Sequence, residues 1–549
     1  MPSVSRAEDF RSSPADASWL RKLAVVADTG EAWWIALGAM LVGLILPLLL
    51  VEVPPLTDYP NHLARALFLA FGATDPIMSK MFAANWQIAP NLALDIVLPP
   101  LLRIMPPLIA GKVLLGFAAV LPATGAIAFN RACFERRSYW PLAVGLVVYN
   151  VPFLLGFINF QIGVGVALWG AAAWVWMARQ QPVLGVAVGI VFGVAAFFSH
   201  LFAFALFALL IGCWEAAVVF QRGLKSDGIV PFAVRRFGYA TIALIGPAVL
   251  YLVSPLAGTG GAVFRNQWLT KLKTFAVPVA GYLPLLTYGI LAVLVLILAG
   301  LLITRRLRIA PHAFLAFPLL TLVFFALPTG AKGVFYIDTR IPVMMGFLLF
   351  AATMPRVPRP IGAAIFLAIA VMFVARMSLI SRVWIDAQQD VADVRGVLSA
   401  VTPGSRVLAV DDLVDTSNGP IVRSRSLAHD YPNSFWHYAS FAFIDRRAFW
   451  SDAFTLYGQQ PVIAQPYYDR SGNPGAFPMQ NIHLLTGVDA IPGKPKPSYL
   501  TNWPSKFDYI LVMNAGSDPD LGAFLPGKLR LISKQGFAAL FEVRHPTVR

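Results

Sequence analysis

From Trp33 to about residue 380 the chain is a succession of apolar runs, and that succession decides the fold class before any motif is considered. Trp33 to Val51 alone is nineteen uncharged residues, enough to cross a hydrocarbon core as a helix. Inside lipid each backbone N–H and C=O must find its partner within the protein, so repeated runs of this kind predict a polytopic α-helical membrane protein. Eleven transmembrane helices are predicted, at 33–51, 108–130, 139–156, 161–177, 183–200, 201–220, 237–254, 281–303, 311–328, 341–354 and 360–379. The composition agrees, being 58% hydrophobic and only 13% charged.

A net charge of +15 suggests a nucleic-acid partner until it is divided along the chain. Residues 1–380 carry 27 Lys and Arg against 13 Asp and Glu, whereas residues 381–549 carry 16 against 15. The excess thus belongs to the membrane half, where basic residues hold loops on the cytoplasmic side and no polyanion is required. With the N-terminus inside, 17 of those 27 fall in cytoplasmic segments, and an odd number of spans carries the C-terminal segment to the outer face. The mixed-charge start of the chain reads as a cytoplasmic tail over 1–32, not a cleaved signal. Cys133 and Cys213 stand apart and the C-terminal segment has no cysteine, so no disulfide framework or zinc spacing is expected.

Two regions depart from the apolar pattern. The outer segment 52–107 is too long for an ordinary connection and predicts a functional loop. Ala64 to Phe71 suits a short helix there, and Asn91 to Met105, interrupted by Pro99 and Pro100, suits an interfacial or re-entrant one. From 381 to 549 the composition is that of a soluble α/β domain beyond the transmembrane domain 33–380. Asp386 to Val401 has amphipathic helical spacing, Arg406 to Val410 and Phe507 to Met513 read as buried strands, and Leu529 to Ser533 with Ala538 to Val543 reads as a hairpin. Asp415 to Tyr499, rich in Pro, Gly, Asn and aromatic residues, predicts long loops.

The candidate chemistry gathers at the outer rim of the spans. Asp58 directly follows the first one, in Leu56-Thr57-Asp58-Tyr59-Pro60-Asn61-His62, and an ionisable group at such a rim is a candidate functional site. Tyr59 adjoins it and His62 lies one helical turn further on. Far downstream, Lys332, Asp338 and Arg340 flank an outer connection entering the run at Ile341-Pro342, so Arg340 and Lys332 are candidates to hold a phosphate. Asn159 and Gln161 in an outer turn, His200 at another span's end, and Tyr59 and Asp338 beside the charged candidates are candidate cavity residues. Each also has a plain structural reading: helix cap or Arg65 partner for Asp58, snorkelling or Asp338 pairing for the cations, turn chemistry for the amides, and packing for His200. Arg265, Lys271 and Lys273 make a further outer basic cluster that either gathers anions or faces solvent.

An Asp just after helix 1, a long first outer loop, a basic residue at the outer end of a late helix and an outer C-terminal α/β domain together resemble the GT-C superfamily of membrane glycosyltransferases. The types most resembled are the protein O-mannosyltransferases and the aminoarabinose transferases of lipid A. The resemblance implies a bacterial inner-membrane enzyme that moves a sugar from a polyprenyl-phosphate-linked donor to a lipid, glycan or protein acceptor at the periplasmic face. It further implies Asp58 as general base, with His62 as a second catalytic position and inversion of the anomeric centre. Many members follow the Asp with Glu, where this chain has Tyr59. No cofactor is indicated; a divalent cation is compatible with the resemblance, but Tyr59 in place of a second acid weakens the case for one. A transporter or flippase for a lipid-linked saccharide, or a non-catalytic assembly subunit, is the competing expectation. The first requires polar groups at the midplane of several spans, and the second tolerates loss of Asp58.

Overall fold

The computed structural model describes residues 30–258, 261–263, 268–331, 334–412, 427, 431, 433–473, 479–486, 497–516, 521, 525 and 527–545. In chain order the first elements are helix α1 (Gly30–Leu49), helix α2 (Tyr59–Phe71), strand β1 (Phe82–Ala84) and helix α3 (Ala93–Leu102). Helices α4 (Pro107–Phe134), α5 (Ile158–Gln180), α6 (Pro182–Ser199), α7 (Leu201–Arg222), α8 (Ile229–Leu252), α9 (Pro284–Ile303), α10 (Ala313–Ala326), α11 (Arg340–Ala351) and α12 (Arg359–Asp386) follow, and then α13 (Gln388–Leu398). Among the described residues, eight helices are long and apolar enough to cross a membrane. The most apolar stretch of α5 is 83% buried and that of α4 67%, against 11% for α8 and 22% for α9. α4 and α5 therefore form the interior of the bundle, and α8 and α9 present apolar side chains outward as lipid-facing helices do.

Three of the eleven predicted spans take a shorter or broken form: Trp140–Leu154, α10 and α11. The first is the informative one. Its 3-10 and α-helical pieces part at Tyr149, and Asn150 then caps a new turn by accepting from the Phe153 N–H at 3.0 Å. Carbonyls freed by such a break need donors in a dry bundle. Asn150 Nδ2 serves Val147 and Val148, and Gln161 Nε2 serves Val148 at 2.9 Å. Arg376 of α12 likewise donates to the carbonyls of Tyr149, Val279 and Ala280. α12 also runs past residue 380 to Asp386, so the expected domain boundary falls inside a continuous helix.

The C-terminal segment adds strands β2 (Arg406–Asp411), β3 (Phe449–Trp450), β4 (Val462–Ala464), β5 (Gln480–Asn481), β6 (Tyr509–Met513), β7 (Leu529–Gln535) and β8 (Ala538–Val543). Six of them form one sheet in the order β7-β8-β6-β2-β3, with β5 also on β2. β6 runs parallel to β2 and antiparallel to β8, which closes the predicted hairpin with β7. β2 and β6 are buried on nearly every residue, as their continuous apolar character requires.

The segment between α1 and α4 is locked to this domain. β1 pairs antiparallel with β4, Phe82 opposite Ala464. Gln388 Oε1 accepts from the N–H groups of Glu52 and Val53 at 3.0 and 3.1 Å. α2 is buried along almost its whole length, and Arg65 on it forms a buried ion pair with Asp95 of α3 at 2.6 Å. The loop helices thus form a floor between the bundle and the outer domain.

Candidate active site

Asp58 is the residue before α2, and it is fixed by its backbone. Its N–H donates to the Leu155 carbonyl at 3.0 Å, while its carbonyl accepts from the His62 N–H at 3.0 Å. Its side chain makes no capping bond to the helix, and Arg65 turns to Asp95, so neither the cap nor the Arg65 pairing accounts for it. Gly156 packs against it with φ at +88°. A Cβ there would stand 2.8 Å from the Asp58 nitrogen, so only glycine fits both the conformation and the space.

A cavity of about 470 Å³ opens beside Asp58, and Arg340 lines the same cavity. Arg340 is the first residue of α11 and is 3% exposed. Its Nη1 donates to the carbonyls of Phe335 and Tyr336 at 3.1 and 2.8 Å, and its Nε has no partner among the described residues. The guanidinium lies 4.8 Å from the ring centre of Phe157 and 5.8 Å from that of Phe202. A cation held by neutral carbonyls and ring faces keeps its charge available to an anion entering the cavity.

His62, Asn159 and His200 also line the cavity. His62 is 7% exposed; one ring nitrogen meets the Gly156 backbone and Nδ1 has no partner among the described residues. Burial first, then the nearby Arg65 and His437, hold its pKa well below the ordinary imidazole value. His200 Nδ1 accepts from the Phe202 N–H at 3.1 Å, capping α7. The Asn159 amide joins α3 to α5, accepting from the Leu94 N–H and donating to the Asn91 carbonyl, both at 2.7 Å.

Three residues expected in the cavity lie off its wall: Tyr59, Gln161 and Asp338. Tyr59 turns into the bundle against α4, where a Cβ on Gly111 would stand 2.0 Å from its hydroxyl oxygen. Gln161 is committed to the broken helix at Val148 and Asn150, where dry carbonyls need its amide. Asp338 is buried in the turn entering α11, its carbonyl accepting from the Ile341 N–H. Lys332 and Arg265 lie outside the described residues. Lys271 is half-buried, and its Nζ donates to the carbonyls of Phe324, Phe325 and Leu327 at the end of α10.

The other half of the cavity wall comes from the C-terminal domain and was not anticipated. Trp436, His437, Asp452, Phe454, Gln460 and Asn473 line it. His437 Nε2 lies 3.4 Å from Asp58 Oδ1, and His437 Nδ1 lies 3.2 Å from Asn61 Nδ2. Asp452 is buried; desolvation raises its pKa, while bonds from Asn473 and Ser451 oppose that rise. The sequence offered no spacing signal for these residues, because they stand 378 to 415 residues beyond Asp58. The abundance of aromatic and amide residues between 415 and 499 was the only hint.

No family model and no curated protein matches the chain. Among solved structures it is similar to ArnT from Cupriavidus metallidurans bound to undecaprenyl phosphate, at 13% identity, over 93% of this chain and 98% of that one, with a TM-score of 0.49.

Proposed function

We propose that this protein is a membrane glycosyltransferase that moves a sugar from a polyprenyl-phosphate donor to an acceptor hydroxyl at the outer, periplasmic face of the bacterial inner membrane. The observation that carries this reading is that Asp58 and Arg340, 282 residues apart in the sequence, line one cavity where several spans end. Around Arg340 the wall is aromatic and aliphatic, including Phe157, Phe160, Phe202, Leu256 and Val334, which suits a lipid-anchored phosphate. Toward the outer domain it carries carboxylates, amides and rings, which suits a hydroxyl-bearing acceptor.

In the reaction Asp58 takes the proton of the acceptor hydroxyl as its oxygen bonds to the anomeric carbon. The bond from that carbon to the phosphate oxygen breaks, its electron pair leaves with the polyprenyl phosphate, and Arg340 stabilises the departing charge. Attack opposite the leaving group inverts the anomeric centre. The donor bond supplies the driving force, so no nucleotide or other cofactor enters this scheme.

Purified protein in lipid nanodiscs, given undecaprenyl phosphate carrying radiolabelled hexoses or pentoses together with an envelope lipid extract, tests the reading. Asp58→Asn is expected to fold and bind donor normally while losing at least about 10³-fold in turnover. Arg340→Ala is expected to weaken donor binding by about 1.5–3 kcal/mol, the ordinary value of a charge-assisted hydrogen bond, with less effect on the acceptor. Full turnover by the Asp58→Asn protein would reject Asp58 as base.

A further inference from the structure

We infer that His437, from the C-terminal domain, is a positioning residue for the Asp58 carboxylate, held by Asn61 in the tautomer that turns an N–H toward it. This rests on the sugar-transfer reading above. Asn61 lies in the first turn of α2 and is completely buried. Two backbone groups of opposite polarity set its amide: Oδ1 accepts from the Phe454 N–H at 3.2 Å and Nδ2 donates to the Asp452 carbonyl at 2.5 Å. Exchanging oxygen and nitrogen would face donor with donor and acceptor with acceptor, so the orientation is fixed by chemistry.

The same Nδ2 faces His437 Nδ1 at 3.2 Å. An amide nitrogen has no lone pair to offer, so Nδ1 must be the acceptor and the ring proton resides on Nε2. Nε2 is the atom 3.4 Å from Asp58 Oδ1. Packing fixes the ring plane independently: the Trp436 indole lies parallel to it, with centres 5.8 Å apart and planes 9° apart, and Phe454 meets it edge-on at 5.0 Å. With Oδ1 facing this N–H, Oδ2 is the oxygen left for the acceptor proton. Asn61 and His437 thus do for Asp58 what an orienting group does for a general base, and the outer domain completes the site.

The deciding measurement is the ring-nitrogen NMR spectrum of the full-length protein with isotope-labelled histidine in nanodiscs, with His437→Gln assigning the His437 signals by their loss. The wild-type ring is expected to carry its proton on Nε2, and Asn61→Asp, whose carboxylate can only accept, should move it to Nδ1. Turnover is then read with the labelled undecaprenyl-phosphate sugars. His437→Ala should lower kcat about 10²-fold with little change in donor KM, the scale of a misplaced reacting group. His437→Gln, which keeps an amide donor near the Nε2 position, should recover to within about tenfold of wild type. A wild-type ring protonated on Nδ1 overturns the inference whatever the activities are, as does a His437→Gln protein no better than His437→Ala. Should Asn61→Asp fail to fold, the wild-type spectrum and the two His437 variants decide alone. Absence of transfer by the wild type would remove the sugar-transfer reading and the role with it, while the spectrum still reports whether the Nε2–H contact exists.

Discussion

Gly156 shows how little room surrounds Asp58. An alanine there would be held near φ +88° and would press its methyl on the Asp58 backbone nitrogen. Gly156→Ala is expected to cost about 1–3 kcal/mol of stability and to displace Asp58, so a thermal midpoint lowered by a few degrees should accompany a disproportionate loss of turnover. His62 gives a pH signature at the same scale. Its pKa falls from about 6.5 unfolded to well below that when buried, so the unfolded chain binds the proton first. The contribution of His62 to stability is therefore complete above about pH 6.5, and it is lost as pH falls from there toward the folded pKa. Thermal midpoints of wild type and His62→Gln measured from pH 7.5 to 5 should converge toward acid by this amount, and parallel curves would count against it. Asp58 and Arg340 were legible in the sequence because each stands at the rim of an apolar run, where a charge is conspicuous. Asn61 and His437 were not, since a neutral amide and a histidine in a long loop carry no period or spacing.

Among the elements, α2 has the most to hold, with Asp58 just before its first turn and the C-terminal domain on its back. The Arg65–Asp95 pair clamps it to α3, with side chains 2% and 0% exposed. Removing one partner strands the other charge in a dry site, so Arg65→Ala or Asp95→Ala should each cost about 3–5 kcal/mol, whereas Arg65→Met combined with Asp95→Leu should be far milder. Denaturation of the two single variants and the double variant in one detergent reads this directly. The helices themselves were legible because each long apolar run has one low-energy form in lipid. Trp140–Leu154 was not legible as a broken segment. Within its apolar run only Asn150 and Pro152 hint at a break, and the donors of Gln161 and Arg376 that meet the loose carbonyls beside Asn150 are brought there by folding.

For the whole molecule, the ends of the helices sort by charge. Arg131, Arg179, Arg222, Arg305, Arg306 and Arg356 mark one end of the bundle. There Arg137 lies over Trp33 and Trp34 at the start of α1, Arg179 pairs with Glu135, and residues Leu307–Ile309 pair with Thr353–Pro355. Asp58, the α6 to α7 turn at His200, Arg340 and the six-stranded sheet occupy the other. If basic loops remain cytoplasmic, the cavity and the outer domain share the opposite compartment, and a lipid-borne donor reaches Arg340 from the outer leaflet. Replacing Cys133 and Cys213 with alanine and introducing Ser226→Cys in the α7 to α8 loop, or Thr501→Cys on the exposed face of the outer domain, tests this in intact cells. A membrane-impermeant maleimide should label Thr501→Cys once the outer membrane is opened, and should label Ser226→Cys only after the inner membrane is permeabilised. The reverse pattern would put Asp58 on the cytoplasmic side. The base and the phosphate-binding cation would then serve a donor drawn from the inner leaflet, and the periplasmic assignment would fall while the shared cavity remained.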